Sequence, residues 1–125
     1  MLSDEVKLNI ANNYANTIPS NNADIAAWYN KQGVDDYNIA MKTFNFNDPQ
    51  HIIKKVTSKK TEGGLEIPFN SEILDVGCGP GALGQELKPK GYENMDGVDA
   101  TDAFVTFATT GGNYRKLQVV WLGCN

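Results

Sequence analysis

The chain has 125 residues, enough for one domain with a hydrophobic core. Hydrophobic residues make up 41% and charged residues 21% of it, which is typical of a globular protein and excludes a disordered tail. The formal charge of −4 argues against a surface built to bind nucleic-acid phosphates. No apolar run approaches the roughly 20 residues of a membrane-spanning helix. Cys78 and Cys124 are too few for a disulfide framework or a four-ligand zinc site by themselves, so we predict a cytoplasmic protein without a metal.

The chain begins with a predicted amphipathic helix. Ser3 is placed to cap it, and acidic residues follow in the first turn, where they favour the positive end of a helix. Val6, Ile10 and Tyr14 recur at four-residue intervals and predict a narrow apolar stripe. Residues 19–22 contain proline, serine and asparagine and predict the turn that ends this helix.

Further helices are predicted up to about residue 57. One begins near residue 23 and ends at Gly33, and a short one covers residues 35–44. The next helix is expected to start with Asp48 as its cap, because Pro49 then occupies a position where the first turn tolerates proline. These patterns therefore predict a helical segment, which is rich in asparagine.

The period of the apolar residues changes after residue 70. Strands are predicted over residues 72–76, 94–99 and 117–121, and helices over residues 82–88 and 102–110. The order is strand, helix, strand, helix, strand. That alternation predicts a doubly wound α/β fold with a parallel sheet.

A glycine cluster joins the first predicted strand to the helix that follows it. Gly77, Gly79 and Gly81 alternate there, which lets the backbone turn sharply and lets a ligand approach main-chain atoms without meeting a Cβ. Asp99 ends the next strand, 22 residues after Gly77. In this topology a carboxylate at that position faces the ribose hydroxyls of an adenosine-containing ligand. The alternative is structural: the glycines only shape a turn and Asp99 only caps the next helix.

Two adenosine ligands compete for this loop. Gly77, Gly79 and Ala82 can be fitted to the dinucleotide pattern G-x-G-x-x-G/A. Asp75 stands two residues before the first glycine, where its carboxylate would repel a pyrophosphate. S-adenosylmethionine carries a positive ammonium and a positive sulfonium and has no phosphate. Charge complementarity therefore favours S-adenosylmethionine over NAD.

The run Leu-Asp-Val-Gly-Cys-Gly-Pro-Gly at residues 74–81 closely resembles motif I of the class I methyltransferases. The resemblance is greatest to the Williams-Beuren syndrome critical-region methyltransferase-like family, that of methyltransferase-like protein 27. It extends to five further segments, at residues 28–31, 36–38, 91–99, 114–117 and 122–123.

The resemblance implies a Rossmann-like fold, with residues 1–70 as a helical cap or lid and residues 71–125 as the cofactor-binding half of the domain. It implies a cofactor-binding set made up of Asp75, Gly77, Cys78, Gly79, Gly81, Asp99 and Tyr37. The loop backbone would cradle the methionine and ribose parts of S-adenosylmethionine, and Asp75 would fix the ammonium end. Asp99 would hold the ribose hydroxyls, and Tyr37 would close over the methionine moiety.

A class I methyltransferase has a seven-stranded sheet, and its second half supplies much of the substrate site. This sequence stops just past the third predicted strand, so we expect a truncated chain. In that fold a fourth strand pairs with the first, so Ile73, Leu74 and Val76 would lie on an unpaired edge. Such an apolar edge favours self-association.

The function predicted from the sequence is S-adenosylmethionine-dependent methyl transfer to an unidentified acceptor. No catalytic residue is assigned. One alternative is a non-catalytic cofactor-binding or regulatory module, and another is a fragment of an NAD-dependent oxidoreductase. No membrane partner and no strong nucleic-acid signal are indicated.

Overall fold

The computed structural model describes residues 1–17, 19 and 22–121. Its elements in chain order are α1 (Asp4–Thr17), α2 (Asn22–Thr43), α3 (Asp48–Thr57), β1 (Ile73–Val76), α4 (Ala82–Leu87), β2 (Met95–Asp99), α5 (Asp102–Gly111) and β3 (Lys116–Val119). Two short 3₁₀ turns lie at Lys60–Glu62 and Lys88–Lys90. Ser20 and Asn21 of the predicted turn, the pair at residues 122–123 and Cys124 lie outside the described residues.

The three described strands form one parallel sheet in the order β1-β2-β3. Ile73 is opposite Met95 in the first pair, and Asp96 is opposite Lys116 in the second. Helices α4 and α5 make the crossovers, and because such crossovers are right-handed both helices cover the same face. The α/β fold predicted from the sequence is confirmed, and its arrangement is consistent with a Rossmann-like methyltransferase domain.

Beneath that covered face lies a small core. Ile53, Leu87, Tyr92 and Met95 are buried in one cluster that joins α3 and α4 to β2. The Tyr92 hydroxyl donates to the carbonyl of Ile67 at 2.7 Å, so the one polar atom of this ring is satisfied. This packing anchors α3 to the sheet.

The start of α3 differs from the sequence prediction by one residue. Asn47 occupies the N-cap position, and Asp48 is already in the first turn with Pro49 beside it. Neither boundary residue makes a side-chain capping bond, so local capping chemistry does not determine this helix start. Pro49 in the first turn favours a start here, and the burial of Ile53 ties the helix to the core.

Helix α1 begins as predicted, with the backbone N–H of Val6 donating to the Ser3 hydroxyl at 3.2 Å. The predicted apolar stripe is only partly correct. Tyr14 is buried, but Ala11 is buried in place of the expected Val6, whose side chain is 41% exposed. Because α1 packs closely on α2, the small Ala11 fits the contact and the stripe is displaced around the helix.

Helix α2 is interrupted at Gly33. The backbone there has φ +81° and ψ 171°, a conformation outside the helical region that side-chain-bearing residues rarely adopt. The sequence prediction of a helix end at Gly33, with another helix after it, therefore matches the backbone, although no loop separates the two parts. The break lets α2 present residues from both parts to the carboxyl end of the sheet.

Strand β1 lies at the edge of the described sheet. All three predicted residues, Ile73, Leu74 and Val76, belong to this edge strand; Leu74 and Val76 are 60% and 58% exposed, whereas Ile73 packs on the core. The alternation of strand side chains explains the difference, because Ile73 points to the face covered by the helices. Self-association through this edge stays a prediction.

Among the described residues, no helix is both long and apolar enough to cross a membrane. Nor does any group of three or more His, Cys, Asp and Glu side chains in that part of the chain have the placement to hold a metal ion.

Candidate functional site

The loop between β1 and α4 has an alternating backbone. Gly77, Gly79 and Gly81 have φ values of +71°, +56° and +99°, all in the left-handed region. An L side chain is strained in that region, so the three glycines that the sequence singled out are required by the turn. At Gly79 the position of an added Cβ would lie 3.9 Å from the Tyr37 hydroxyl, which brings α2 against the loop.

The backbone N–H groups of this loop are used inside the protein. Gly77 and Cys78 both donate to the carbonyl of Val98 on β2, at 2.8 and 3.0 Å. Gly81 donates to the carbonyl of Cys78 at 3.1 Å, and Pro80 has no N–H. The loop is therefore fastened to the neighbouring strand and does not present a row of free donors to a ligand.

Asp99 fastens the remaining amide of the loop. Its Oδ2 accepts the N–H of Gly79 at 2.9 Å, and its Oδ1 accepts the N–H of Thr101 at 2.8 Å. The carboxylate therefore joins the glycine loop to the turn after β2. The sequence suggests a cap of the next helix as the alternative role of Asp99 and does not predict this fastening of the loop. Each carboxylate oxygen has a second lone pair, so Asp99 can still accept hydrogen bonds from a ligand.

Asp75 lies on β1 and is hydrogen-bonded by Tyr114, which lies between α5 and β3. Its Oδ2 accepts a hydrogen bond of 2.7 Å from the hydroxyl of Tyr114, which in turn accepts the N–H of Gly84 at 3.0 Å. Burial raises the pKa of the Asp75 carboxyl above its ordinary value, and the bond from Tyr114 partly offsets that rise. Burial and the neighbouring Asp75 carboxyl raise the pKa of Tyr114.

The side chain of Cys78 is buried beneath the loop. Its thiol donates to the carbonyl of Gly79 at 3.6 Å and packs against Gly97 of β2. Burial, with Asp75 and Asp99 nearby, raises the pKa of this thiol to about 12. A protonated, enclosed thiol is a poor nucleophile, so Cys78 contributes to the site through its backbone.

Tyr37 belongs to an aromatic cluster that joins the helical segment to α5. Its ring centroid lies 4.8 Å from that of Phe104 and 6.2 Å from that of Tyr29, and Tyr29 lies 5.3 Å from Phe104. Burial raises the pKa of both tyrosine hydroxyls, and the negative charge of Asp99 adds to the rise. Tyr37 therefore reaches the predicted site, and Tyr29 accompanies it.

Two clefts flank the glycine loop. The first, of about 420 Å³, is lined by Tyr29, Asp99, Trp121 and the carboxyl ends of the strands. The second, of about 330 Å³, is lined by Tyr37 and Asp75 with residues from α3, α4 and α5. The described residues that line the two clefts include three aspartates and no Lys, Arg or His. The electrostatic environment on both sides of the loop favours a cation.

The remaining contacts of the site come from residues that the sequence analysis did not select. Asn30 of α2 accepts the N–H of Ala103 at 2.8 Å and so caps α5 from a distant part of the chain. Tyr29, Asn30 and Tyr114 lie in segments that carry the family resemblance, which is the signal that could have identified them. No sequence motif around the glycine loop points to these three residues.

No protein-family model matches the chain. It is 36% identical over 56 residues to methyltransferase-like protein 27 of Homo sapiens, a match that covers 45% of this chain and 23% of the relative. It is 30% identical over 95 residues to a ubiquinone biosynthesis O-methyltransferase of Rickettsia canadensis (strain McKiel), covering 76% of this chain and 36% of the relative. The matched region thus spans between about a quarter and about a third of the length of these curated relatives.

Proposed function

The chain is a class I methyltransferase-like protein, and we propose that it binds S-adenosylmethionine at the loop between β1 and α4. Transfer of the methyl group to an acceptor is the activity we propose for the protein of which this fold forms the cofactor-binding part. The helical segment, residues 1–70, would cover the bound cofactor.

The proposal depends on the charge of the two clefts. Asp99 lines the first cleft, Asp75 and Asp48 line the second, and no basic side chain is among the described lining residues. S-adenosylmethionine has two positively charged groups and lacks phosphate. An acidic site with aromatic walls attracts such a ligand through Coulomb and cation–π interactions.

The same geometry argues against a dinucleotide. A pyrophosphate is bound by free backbone N–H groups at a glycine loop and the helix start after it. Here the loop N–H groups of Gly77, Cys78, Gly79 and Gly81 already donate to protein oxygens. At the loop itself, an NAD phosphate would therefore meet nearby carboxylates and amides that already have partners, which disfavours the oxidoreductase alternative.

The residues present fit the cofactor in three places. The free lone pairs of Asp99 can accept the two ribose hydroxyls, and Asp75 can accept the ammonium group. Gly79 leaves open the position that a Cβ would occupy beneath Tyr37. The rings of Tyr29 and Tyr37 add apolar surface that excludes water from the cleft.

When bound, the cofactor supplies an electrophilic methyl group on its sulfonium sulfur. The contribution of this chain is to hold that group in one orientation and to keep water away from it. Asp99 and the loop give the orientation, since both are fastened to the sheet by directional hydrogen bonds. We assign no general base, because the acceptor has yet to be identified.

The test is calorimetric titration of S-adenosylhomocysteine into the purified chain. We expect saturable binding by the wild type and at least about tenfold weaker binding by Asp99→Asn, because a charged acceptor of two hydrogen bonds is lost. Asp102→Asn is the matched control, since it removes an exposed carboxylate three residues away in the first turn of α5. Its affinity should equal that of the wild type.

NADH is titrated in parallel. Binding of NADH without S-adenosylhomocysteine, or no binding of either by a folded chain, would contradict the proposal. Binding of S-adenosylhomocysteine without methyl transfer to any acceptor tested would leave cofactor binding as the function, as in the non-catalytic module considered from the sequence.

A further inference from the structure

The ring of Tyr114 lies in a cradle of three glycines from three elements. A Cβ added at Gly84 of α4 would lie 2.5 Å from Cε2 of Tyr114, which is a severe overlap. A Cβ at Gly97 of β2 would lie 3.1 Å from the ring, and one at Gly81 of the loop 3.3 Å from it. A Cβ at Gly84 would displace the tyrosine, and the contacts at Gly97 and Gly81 are tight, so the ring fits here because all three positions lack a side chain.

The hydroxyl of Tyr114 has one possible hydrogen-bond arrangement. The Gly84 N–H can only donate, so the hydroxyl oxygen accepts it, at 3.0 Å. The ionised Asp75 carboxylate can only accept, so the single hydroxyl proton goes to its Oδ2, at 2.7 Å. The backbone of α4 thereby determines the direction in which Tyr114 donates.

One carboxylate oxygen of Asp75 has no protein partner among the described residues. Its Oδ2 is engaged by Tyr114, and no hydrogen bond to its Oδ1 is found in the described part of the chain. Asp75 also lines the cleft that it shares with Tyr37. We propose that Tyr114 is a positioning residue which holds Asp75 so that Oδ1 receives the ammonium group of the cofactor, an inference that rests on the proposed function.

Among the described residues, the groups that surround Asp75 carry no positive charge. Tyr114 donates to it, Asp99 at the end of β2 and Cys78 in the loop interact with it through space, and Tyr37 and Asp48 line the same cleft from α2 and α3. Among these groups, the Tyr114 hydroxyl is the one whose bond lowers the pKa of Asp75. Removing that hydroxyl should therefore raise the pKa of Asp75 further above its ordinary value.

The test uses Tyr114→Phe, which keeps the ring in the glycine cradle and deletes the hydroxyl. Tyr92→Phe is the matched control, because it deletes another buried tyrosine hydroxyl, one that bonds the carbonyl of Ile67 away from the cleft. The titration of the Asp75 carboxyl is followed by ¹³C NMR in the ligand-free protein. We expect a higher midpoint in Tyr114→Phe and an unchanged one in Tyr92→Phe. An unchanged midpoint in a folded Tyr114→Phe chain would overturn the proposal.

A second measurement separates positioning from general damage. S-adenosylhomocysteine carries the ammonium group, and 5′-methylthioadenosine lacks the whole amino-acid part. Tyr114→Phe should bind S-adenosylhomocysteine about five- to tenfold more weakly, in line with the loss of one intramolecular hydrogen bond, and should bind methylthioadenosine as the wild type does. The loss should grow as the pH falls, because the variant's Asp75 becomes protonated first. Equal losses for both ligands would assign Tyr114 a purely structural role.

The failure of this inference can be told from the failure of the proposed function. A wild-type chain that binds neither nucleoside would refute cofactor binding, and with it the role given to Oδ1. The NMR titration needs no ligand, so it would still decide whether Tyr114 controls the charge of Asp75.

Discussion

The glycine loop and the helical segment reach the same clefts but are held there by different forces. The loop is fastened by directional hydrogen bonds from residues 77–81 to Val98, Cys78 and Asp99. The helical segment meets α5 through ring contacts, in which Tyr29 and Tyr37 pack on Phe104, and through the bond from Ala103 to Asn30. Hydrogen bonds allow one loop geometry, whereas ring contacts tolerate a range of tilts.

The two walls of the site should therefore respond differently to substitution. A substitution in the loop is expected to act in an all-or-none manner, either abolishing the site or leaving it intact. A change in the aromatic cluster should loosen the helical segment by degrees, because dispersion contacts are many and individually weak. Trp28 on α2 and Trp121 after β3 give one fluorescent probe on each side of the boundary.

The largest effect is expected where the two regions join. Phe104→Ala removes a ring that is 3% exposed and contacts both Tyr29 and Tyr37, and it should lower the free energy of unfolding by about 3–5 kcal/mol. Urea unfolding is followed in the single-tryptophan variants Trp28→Phe and Trp121→Phe. In the Phe104→Ala background the transition reported by Trp28 should precede that reported by Trp121.

Phe107→Ala is the control for this experiment, because Phe107 lies on the same helix and is 47% exposed. Phe107→Ala should lower the free energy of unfolding by about 1 kcal/mol or less. If Phe104→Ala costs no more than Phe107→Ala and both probes keep one common transition, the aromatic cluster does not hold the two regions together.

An intermediate effect is expected within the α/β half. Gly84→Ala places a Cβ against the ring of Tyr114 and should destabilise the fold by about 2 kcal/mol, in spite of the better helix propensity of alanine. The loss of stability is measured by thermal unfolding monitored by circular dichroism. Gly111→Ala is the matched substitution in α5, where the nearest atom is the end of the flexible Asn113 side chain, and it should be neutral or stabilising. Equal effects of the two substitutions would mean that the cradle around Tyr114 is not tight.

The smallest expected changes in the free energy of unfolding come from removing one tyrosine hydroxyl in each region, and they should have opposite signs. The Tyr14 hydroxyl is buried and has no hydrogen-bond partner among the described residues, so Tyr14→Phe should raise the free energy of unfolding by about 1 kcal/mol. Tyr92→Phe removes a satisfied hydroxyl and leaves the Ile67 carbonyl unpaired, so it should lower that free energy by about 1 kcal/mol. Urea denaturation of both variants checks the signs, and a loss in Tyr14→Phe would show that its hydroxyl has a partner.

Local patterns predicted the α/β half well. The strands lie within about two residues of their predicted bounds, and each glycine of the loop has the positive φ expected of it. The strand bounds and the loop conformation both depend on residues close in sequence, and only a few turn types can connect such residues. In the helical segment the break at Gly33 was predicted for the same reason, whereas the buried face of α1 was displaced by its packing on α2.

The amino-acid sequence was enough to predict the order of elements, the parallel sheet, the glycine loop, and an aspartate in each of the first two strands, Asp75 and Asp99. The uses of these two carboxylates depend on residues that only the folded chain brings together. Asp99 fastens the loop, and Tyr114, 39 residues from Asp75, orients that carboxylate from within a cradle of glycines. Backbone conformation depends on near neighbours, but the charge and direction of a side chain depend on whichever distant residues the fold packs against it.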